Sequence, residues 1–193
     1  MVETTRRREI EDAASSLFHK HGYSATSVRD IARAVDIQGA SLYAHVASKQ
    51  DVLWTIVASM ATRFEEAANT VEAIDPETHL MALARAHVGV VTEDIGRASV
   101  FVHEWRSLEP ERREEIARRR DAYEARFRSA ITDGIAAGAF DPVDPIVTAA
   151  YILSALNGLV AWYRPDGRVD ATAIADAYAD LSLRAVQGSG ARS

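Results

Sequence analysis

Apolar positions recur at helical spacing along almost the whole chain. Ile10, Ala13, Ala14, Leu17 and Phe18 fall at i, i+3, i+4, i+7 and i+8, one stripe of an amphipathic helix over about Thr4 to His21, and Gly22 is a natural stop. A second, short helix starts at Thr26 or Ser27 and turns Val28, Ile31, Ala32 and Val35 inward, with Ser27 and Asp30 at capping-box spacing. Asp36 stands where the chain must turn tightly, and Asp tolerates the left-handed region better than most residues. A third short helix follows from Gln38 to about His45.

From Ser48, placed to cap it, a long helix runs to about Thr70 through Val52, Ile56, Met60 and Phe64. Pro76 opens the next, with Leu80, Leu83, Ala84, His87, Val88 and Val91 in helical register. A shorter helix covers Ile95 to Ser107. Pro110 starts a charged one ending near Gly134 or Gly138, Pro145 starts an apolar one to about Tyr163, and a last helix spans about Asp170 to Val186 before a frayed tail, GSGARS. No strand alternation and no internal repeat occur. The pattern predicts an all-α fold of about nine helices, with a compositional shift near residue 47 that separates 1–47 from 48–193.

Composition narrows the class. Hydrophobic residues make up 48% and charged ones 26%, ordinary values for a globular protein. With no cysteine, neither a disulfide nor a thiolate metal site is possible, and a reducing cytoplasm fits best. No signal peptide and no membrane span are read, because no 18 apolar residues run uninterrupted. A net charge of -6 argues at first against a nucleic-acid partner. Its distribution reverses that: residues 1–50 hold seven Lys or Arg against six Asp or Glu, whereas the remainder holds 15 against 22. Only the amino-terminal quarter can face a polyanion, through local contacts.

Two short helices joined by a tight turn form a helix-turn-helix, whose second helix enters the DNA major groove. Such a helix needs a bare outer side. In QGASLYAH, Leu42 and Val46, with Ile37 just before, pin one side, and Gln38, Gly39, Ala40, Ser41, Tyr43 and Ala44 are left on the other. Small side chains at the amino end let the backbone approach DNA, Gln and Ser can hydrogen-bond to base edges, and Ala can touch a thymine methyl.

These residues resemble the TetR-type transcriptional regulators. Phe18 to Tyr23 matches F-x-x-x-G-Y/F, Thr26 to Ala32 matches T-x-V-x-x-I-A, and LYAHVASKQDVL, from Leu42 to Leu53, matches L-Y-x-x-F-x-S-K-x-x-L with Val46 for Phe. Asp36 stands where Gly is common and Ala47 where Pro is common. The resemblance implies a double-stranded DNA operator as partner. It places Thr26, Ser27, Tyr43, His45 and Lys49 on the phosphate backbone and Gln38, Gly39, Ala40 and Ser41 against bases. Other roles stay open: Thr26 or Ser27 as caps, the Tyr43 ring packed with its hydroxyl outward, His45 as an ordinary surface histidine. Arg6, Arg7 and Arg8 are either a solvated start or a minor-groove arm.

In that family the larger carboxy-terminal part dimerises and holds a small effector, and the residues agree. IVTAAYILSALNGLVAWY is apolar nearly all round, and the last helix places Ile174, Tyr178, Leu181 and Ala185 on one face. A homodimer through these last two helices would set two recognition helices one DNA turn, about 34 to 36 Å, apart. Candidate ligand contacts are Phe101, Trp105, Arg106, Arg119, Arg120, Tyr123, Phe127, Asn157 and Trp162. An aromatic stripe at helical spacing is also what a plain core provides. Asn157 and Gly158 inside an apolar helix point to a cavity or a close helix contact. Seven arginines crowd the helix that Pro110 starts; pairs such as Glu114 with Arg118 and Glu115 with Arg119 explain most of them, while Arg118 to Arg120 beside Tyr123 suit an anion.

The wording H-E-W-R-x-L-x-P-E-R-R, R-D-x-Y-E-x-x-F-R and W-Y-R-P-D-G resembles the branch of these regulators that controls fatty-acid or steroid breakdown, which implies an acyl-coenzyme A effector. The alternatives from other classes are a helical-bundle enzyme and a protein-interaction adaptor that has lost DNA. For the enzyme there is no Cys nucleophile, no phosphate-cradling glycine loop and no Glu-x-x-His pair, and the six histidines are scattered. No cofactor and no metal are expected.

Overall fold

The computed structural model describes residues 2–72 and 75–187; the tail Gly188–Ser193, read above as frayed, lies outside them. Among the described residues the fold is all-α: α1 (Val2–His21), α2 (Val28–Ala34), α3 (Gly39–Leu42), α4 (Lys49–Asn69), α5 (Pro76–Glu93), α6 (Ile95–His103), α7 (Pro110–Ala136), α8 (Pro145–Asn157), α9 (Leu159–Trp162) and α10 (Ala171–Val186), with a 3₁₀ turn at Trp105–Ser107. Counting α9 as a continuation of α8, nine helices result. The chain forms two compact units, residues 1–62 with 95–118 and residues 63–94 with 119–193.

In the first unit α1 packs on α2 and α6, and α2 on α3. Ile10, Ala14, Phe18, Ile31, Leu42, Leu53, Ile56 and Met60 are buried there, so the stripes of four helices meet in one core. Two left-handed residues set the corners. Gly22, at φ 82°, ends α1, its amide donating to Phe18 O at 2.9 Å. Asp36, at φ 54°, turns the chain between α2 and α3, as its residue type suggested. Gln50 ties the start of α4 to the loop before α7, its amide nitrogen donating to Ser107 O at 2.7 Å and its oxygen accepting from Glu109 N at 3.3 Å.

In the second unit α5 lies along α10, and α8 packs on both. Asp75, Asp144 and Asp170 cap α5, α8 and α10 by accepting from Thr78 N, Ile146 N and Ala173 N at 2.8, 2.8 and 2.9 Å. A Cβ at Gly134 would lie 2.1 Å from the Phe140 ring, so only glycine lets that ring fold back on the end of α7.

Three elements are shorter than the periodicity predicts. The α-helical part of the third helix stops at Leu42, and Ala44 N and His45 N bond three residues back, a tighter winding. The helix from Ile95 gives way at Glu104 to the 3₁₀ turn. The apolar helix from Pro145 ends at Asn157; Gly158, weak in a helix interior, caps it, and Ala161 N then bonds to Gly158 O at 3.1 Å, again three back.

Candidate nucleic-acid interface and effector site

The helix-turn-helix is assembled by local rules. Ser27 caps α2: its hydroxyl accepts from Asp30 N at 3.2 Å, and Asp30 accepts in return from Ser27 N at 2.9 Å. The Ser27 hydroxyl also donates to the Asp30 carboxylate, and this bond, followed by the one from the Ser27 amide, holds the Asp30 carboxyl below the usual carboxylate range. Leu42 and Val46 are buried at 1% and 4% exposure, pinning the segment from beneath. Gln38, Ala40, Ser41 and Ala44 are exposed, Gly39 is half-buried, and Tyr43 is 56% exposed. A groove of about 610 Å³ on this side is lined by Ser27, Val28, Arg29, Gly39, Ala40 and Tyr43. α2 and the start of α3 therefore present one concave, small-residue surface, with Arg29 beside Gly39 as its cation. Arg29 went unread in the sequence; its place two residues after the Ser27 cap was the available signal.

Other candidates are built inward. Thr26 is 3% exposed, its hydroxyl donating to Gly22 O at 2.9 Å and its amide to Tyr23 O at 3.2 Å, so it closes the loop before α2. The Lys49 ammonium donates to Tyr23 O at 2.9 Å and Thr26 O at 2.8 Å and sits 4.0 Å from the Tyr23 ring centroid. Burial lowers its pKa, with the Glu104 charge opposing. Two of its three protons thus brace the loop, leaving one for a phosphate. His45 is half-buried, and its Nδ1 has no hydrogen-bond partner among the described residues. Arg6 and Arg7 lie in α1 rather than in an extended arm: Arg6 donates to Val35 O at 2.8 Å, at the end of α2, and Arg7 pairs with Glu11 at 3.1 Å.

The ligand candidates fall in both units. In the first, Phe101 is buried and the Arg106 guanidinium lies 4.6 Å from the Trp105 ring centroid. In the second, Tyr123 and Phe127 join Phe64 and His87 in an aromatic nest: centroids are 4.6 Å apart for Phe64 and His87, 5.7 Å for Phe64 and Tyr123, and 5.7 Å for Tyr123 and Phe127. His87 Nδ1 is 3.2 Å from the Tyr123 hydroxyl. Burial, helped by the Arg120 charge, pushes the His87 pKa down to about 3, with the Asn157 side chain opposing. Burial likewise raises the Tyr123 phenol, against the Arg126 charge. His87 and Phe64 were read from sequence only as members of apolar stripes; a histidine among Leu, Ala and Val was the signal overlooked. Trp162 is 49% exposed and stacks on Tyr178 with centroids 6.5 Å apart.

The arginines of α7 follow a different pairing from the one expected. Arg119 makes a two-pronged bond to Glu65, both contacts 2.7 Å, instead of pairing with Glu115, and Arg126 donates to Asn69 at 2.6 Å. In the first unit Arg112 meets Asp51 at 3.3 Å. Residues 112, 119 and 126 are seven apart, hence on one face of α7, and each grips α4. Among the described residues no group of three or more His, Asp or Glu could hold a metal ion.

A capped short helix, a left-handed corner and a bare one-turn helix above a buried leucine define a helix-turn-helix DNA-binding protein. Residues 10–54 match the family described as bacterial regulatory proteins, tetR family, and residues 73–186 match the tetracyclin repressor-like C-terminal domain. The chain belongs to the TetR family of transcriptional regulators, and it is a regulator, not an enzyme. It is 33% identical to the TetR family transcriptional regulator PfmR from Thermus thermophilus, over 93% of this chain and 99% of that one, with a TM-score of 0.82. It is 30% identical to AibR, solved in complex with isovaleryl coenzyme A and operator DNA, over 91% and 97%, with a TM-score of 0.81. The HTH-type transcriptional repressor KstR2 of Rhodococcus jostii (strain RHA1) is 26% identical over 92% of this chain and 89% of its own length.

Proposed function

We propose that this protein is a cytoplasmic homodimeric repressor that leaves its operator when an acyl-coenzyme A thioester binds. Residues 1–47 read DNA; residues 48–193 hold the effector and the dimer contact. The observation that carries the DNA reading is the groove of Ser27, Arg29, Gly39, Ala40 and Tyr43, open to solvent over the buried Leu42. Ser27, Tyr43 and His45 are the contacts to phosphate, with Lys49 and Thr26 holding the loop beneath them, and Gln38 to Ser41 face the bases.

The dimer reading rests on α8 and α10. Ile146, Val147, Tyr151 and Leu181 are 59%, 64%, 66% and 57% exposed, too much apolar surface on one side to face water. Pro145–Trp162 is long and apolar enough to cross a membrane, with a mean hydropathy of 1.5, yet only 33% of it is buried within the chain. A second copy covering that face accounts for its composition, and a two-fold axis there presents two recognition helices to one duplex. The effector reading draws on the likeness to AibR, together with the aromatic nest and Arg120, whose charge acts on His87. Coupling requires the ligand to prefer one spacing of the recognition helices over the other.

In vitro selection from random duplexes, followed by gel shifts with and without an acyl-CoA panel, tests all of it. The expected outcome is a pseudo-palindromic site whose complex dissociates on addition of an acyl-CoA. No enrichment of any sequence sinks the DNA reading, and a complex indifferent to every acyl-CoA that binds by calorimetry sinks the coupling.

A further inference from the structure

The outer side of α3 is poorly equipped to read bases by itself. Gln38 and Ser41 are exposed and can hydrogen-bond there, while Gly39, Ala40 and Ala44 bring no polar side-chain atom at all. Guanine shows two acceptors, N7 and O6, to the major groove, and a planar two-pronged donor matches that pair best. No side chain on α3 has that shape.

The neighbouring helix supplies it. Arg29, in the first turn of α2, is exposed and is the one cation among the residues that line the groove with Gly39, Ala40 and Tyr43. Other cations of this unit are committed to the protein itself: Arg6 donates to Val35 O at 2.8 Å, Arg33 pairs with Asp30 at 3.4 Å, and Lys49 donates to Tyr23 O and Thr26 O at 2.9 and 2.8 Å. Arg29 makes no hydrogen bond and no ion pair among the described residues. Its Cγ lies 4.0 Å from where a Cβ on Gly39 would stand, so its stem lies against the start of α3. Gly39 itself is not required by the fold, since its φ is not left-handed and an added Cβ would meet nothing closer. A bare backbone at that point leaves the way from Arg29 to the front of α3 open. Gly39 and Ala40 are the residues proposed to face bases, and neither has a side chain that fills the space before it.

We propose that Arg29 reads a guanine in each half-site of the operator, reaching past Gly39 to set its guanidinium fork on N7 and O6. This rests on the DNA reading above and adds a base-reading residue from α2 to those of α3.

Selection from random duplexes with the full-length protein and with Arg29→Ala, followed by gel shifts on the selected site and its single-pair changes, tests this. The unmodified protein is expected to select a G·C pair at a fixed place in each half-site and to lose about tenfold or more in affinity when that pair is exchanged. Arg29→Ala, at an exposed position, should keep its melting midpoint, discriminate less than about twofold at that place, and keep its preferences elsewhere. Replacing the guanine by 7-deazaguanine, which pairs normally but lacks N7, should weaken the unmodified protein and leave the variant unaffected. Arg29→Met, which keeps the stem without the fork, takes the place of Arg29→Ala should that variant not fold. A loss equal on all sequences with a shallower salt dependence, as a phosphate contact gives, overturns the assignment. So do unchanged selectivity in the variant, relaxation at a pair other than G·C, or indifference to 7-deazaguanine; each leaves the DNA reading standing. Failure of the unmodified protein to select any sequence removes both.

Discussion

The recognition surface and the aromatic nest handle polar side chains in opposite ways. Around α3 the polar and small residues stand in water, and stability is supplied from below by Leu42 and Val46, 1% and 4% exposed. In the nest the side chains of His87 and Tyr123 are buried and the Asn157 Oδ1 is shielded from solvent, so a change to any of them also disturbs the packing of the unit. Exposed polarity can be changed at little cost to folding, whereas buried polarity cannot. DNA contact and stability should therefore separate by mutation in the first region and resist separation in the second.

The largest test acts beneath the recognition surface. Leu42→Ala removes a fully buried pin and should lower stability by about 3 kcal/mol in urea denaturation, with operator binding lost in step. If stability holds while binding disappears, the division between surface and support is wrong. Next is the acid response of the nest. Folded His87 takes a proton only near its pKa of about 3, while the unfolded ring takes one near 6.5, so below about pH 6.5 the unfolded chain binds more protons. Stability present above that pH should fall by up to about 1.4 kcal/mol per pH unit as the pH drops toward 3, and His87→Phe should flatten the curve. A wild-type and a variant curve of equal slope between pH 6.5 and 4.5 would show that the ring is not sequestered.

A smaller effect separates the two regions cleanly. Tyr43→Ala, at a residue 56% exposed, should weaken operator binding by at least about tenfold, roughly 1.4 kcal/mol, while the melting midpoint stays within about a degree. Retained affinity at physiological salt would place the contact elsewhere on the groove. Smallest is Asp36→Gly: relieving a left-handed aspartate at φ 54° should raise stability by about 0.5 to 1 kcal/mol without changing DNA affinity, as read by thermal unfolding and gel shift in parallel.

Much of the helix-turn-helix face proposed to meet DNA was legible in the residues because it is made of short-range rules. A serine three residues before an aspartate makes a capping box, and Asp36 marks the corner. The alternation of Leu42 and Val46 with polar neighbours says which side is buried. The same reading could not tell Thr26 from Ser27. One turns into the loop and the other outward, and the difference lies in the hydroxyl bond to Gly22 O. It also assigned Arg119 to its own helix, whereas its guanidinium reaches Glu65 on α4 at 2.7 Å.

By itself, the order of residues determined the helices, the capped and cornered helix-turn-helix and the family, since each depends on spacing within a few turns and the 3.6-residue period converts spacing directly into a face. Only the tertiary structure decided that α5, α7 and α8 bring His87, Tyr123 and Asn157 together, and that Arg112, Arg119 and Arg126 hold α4. Which faces of separate helices meet is set by crossing angles and loop lengths, and no local period encodes those.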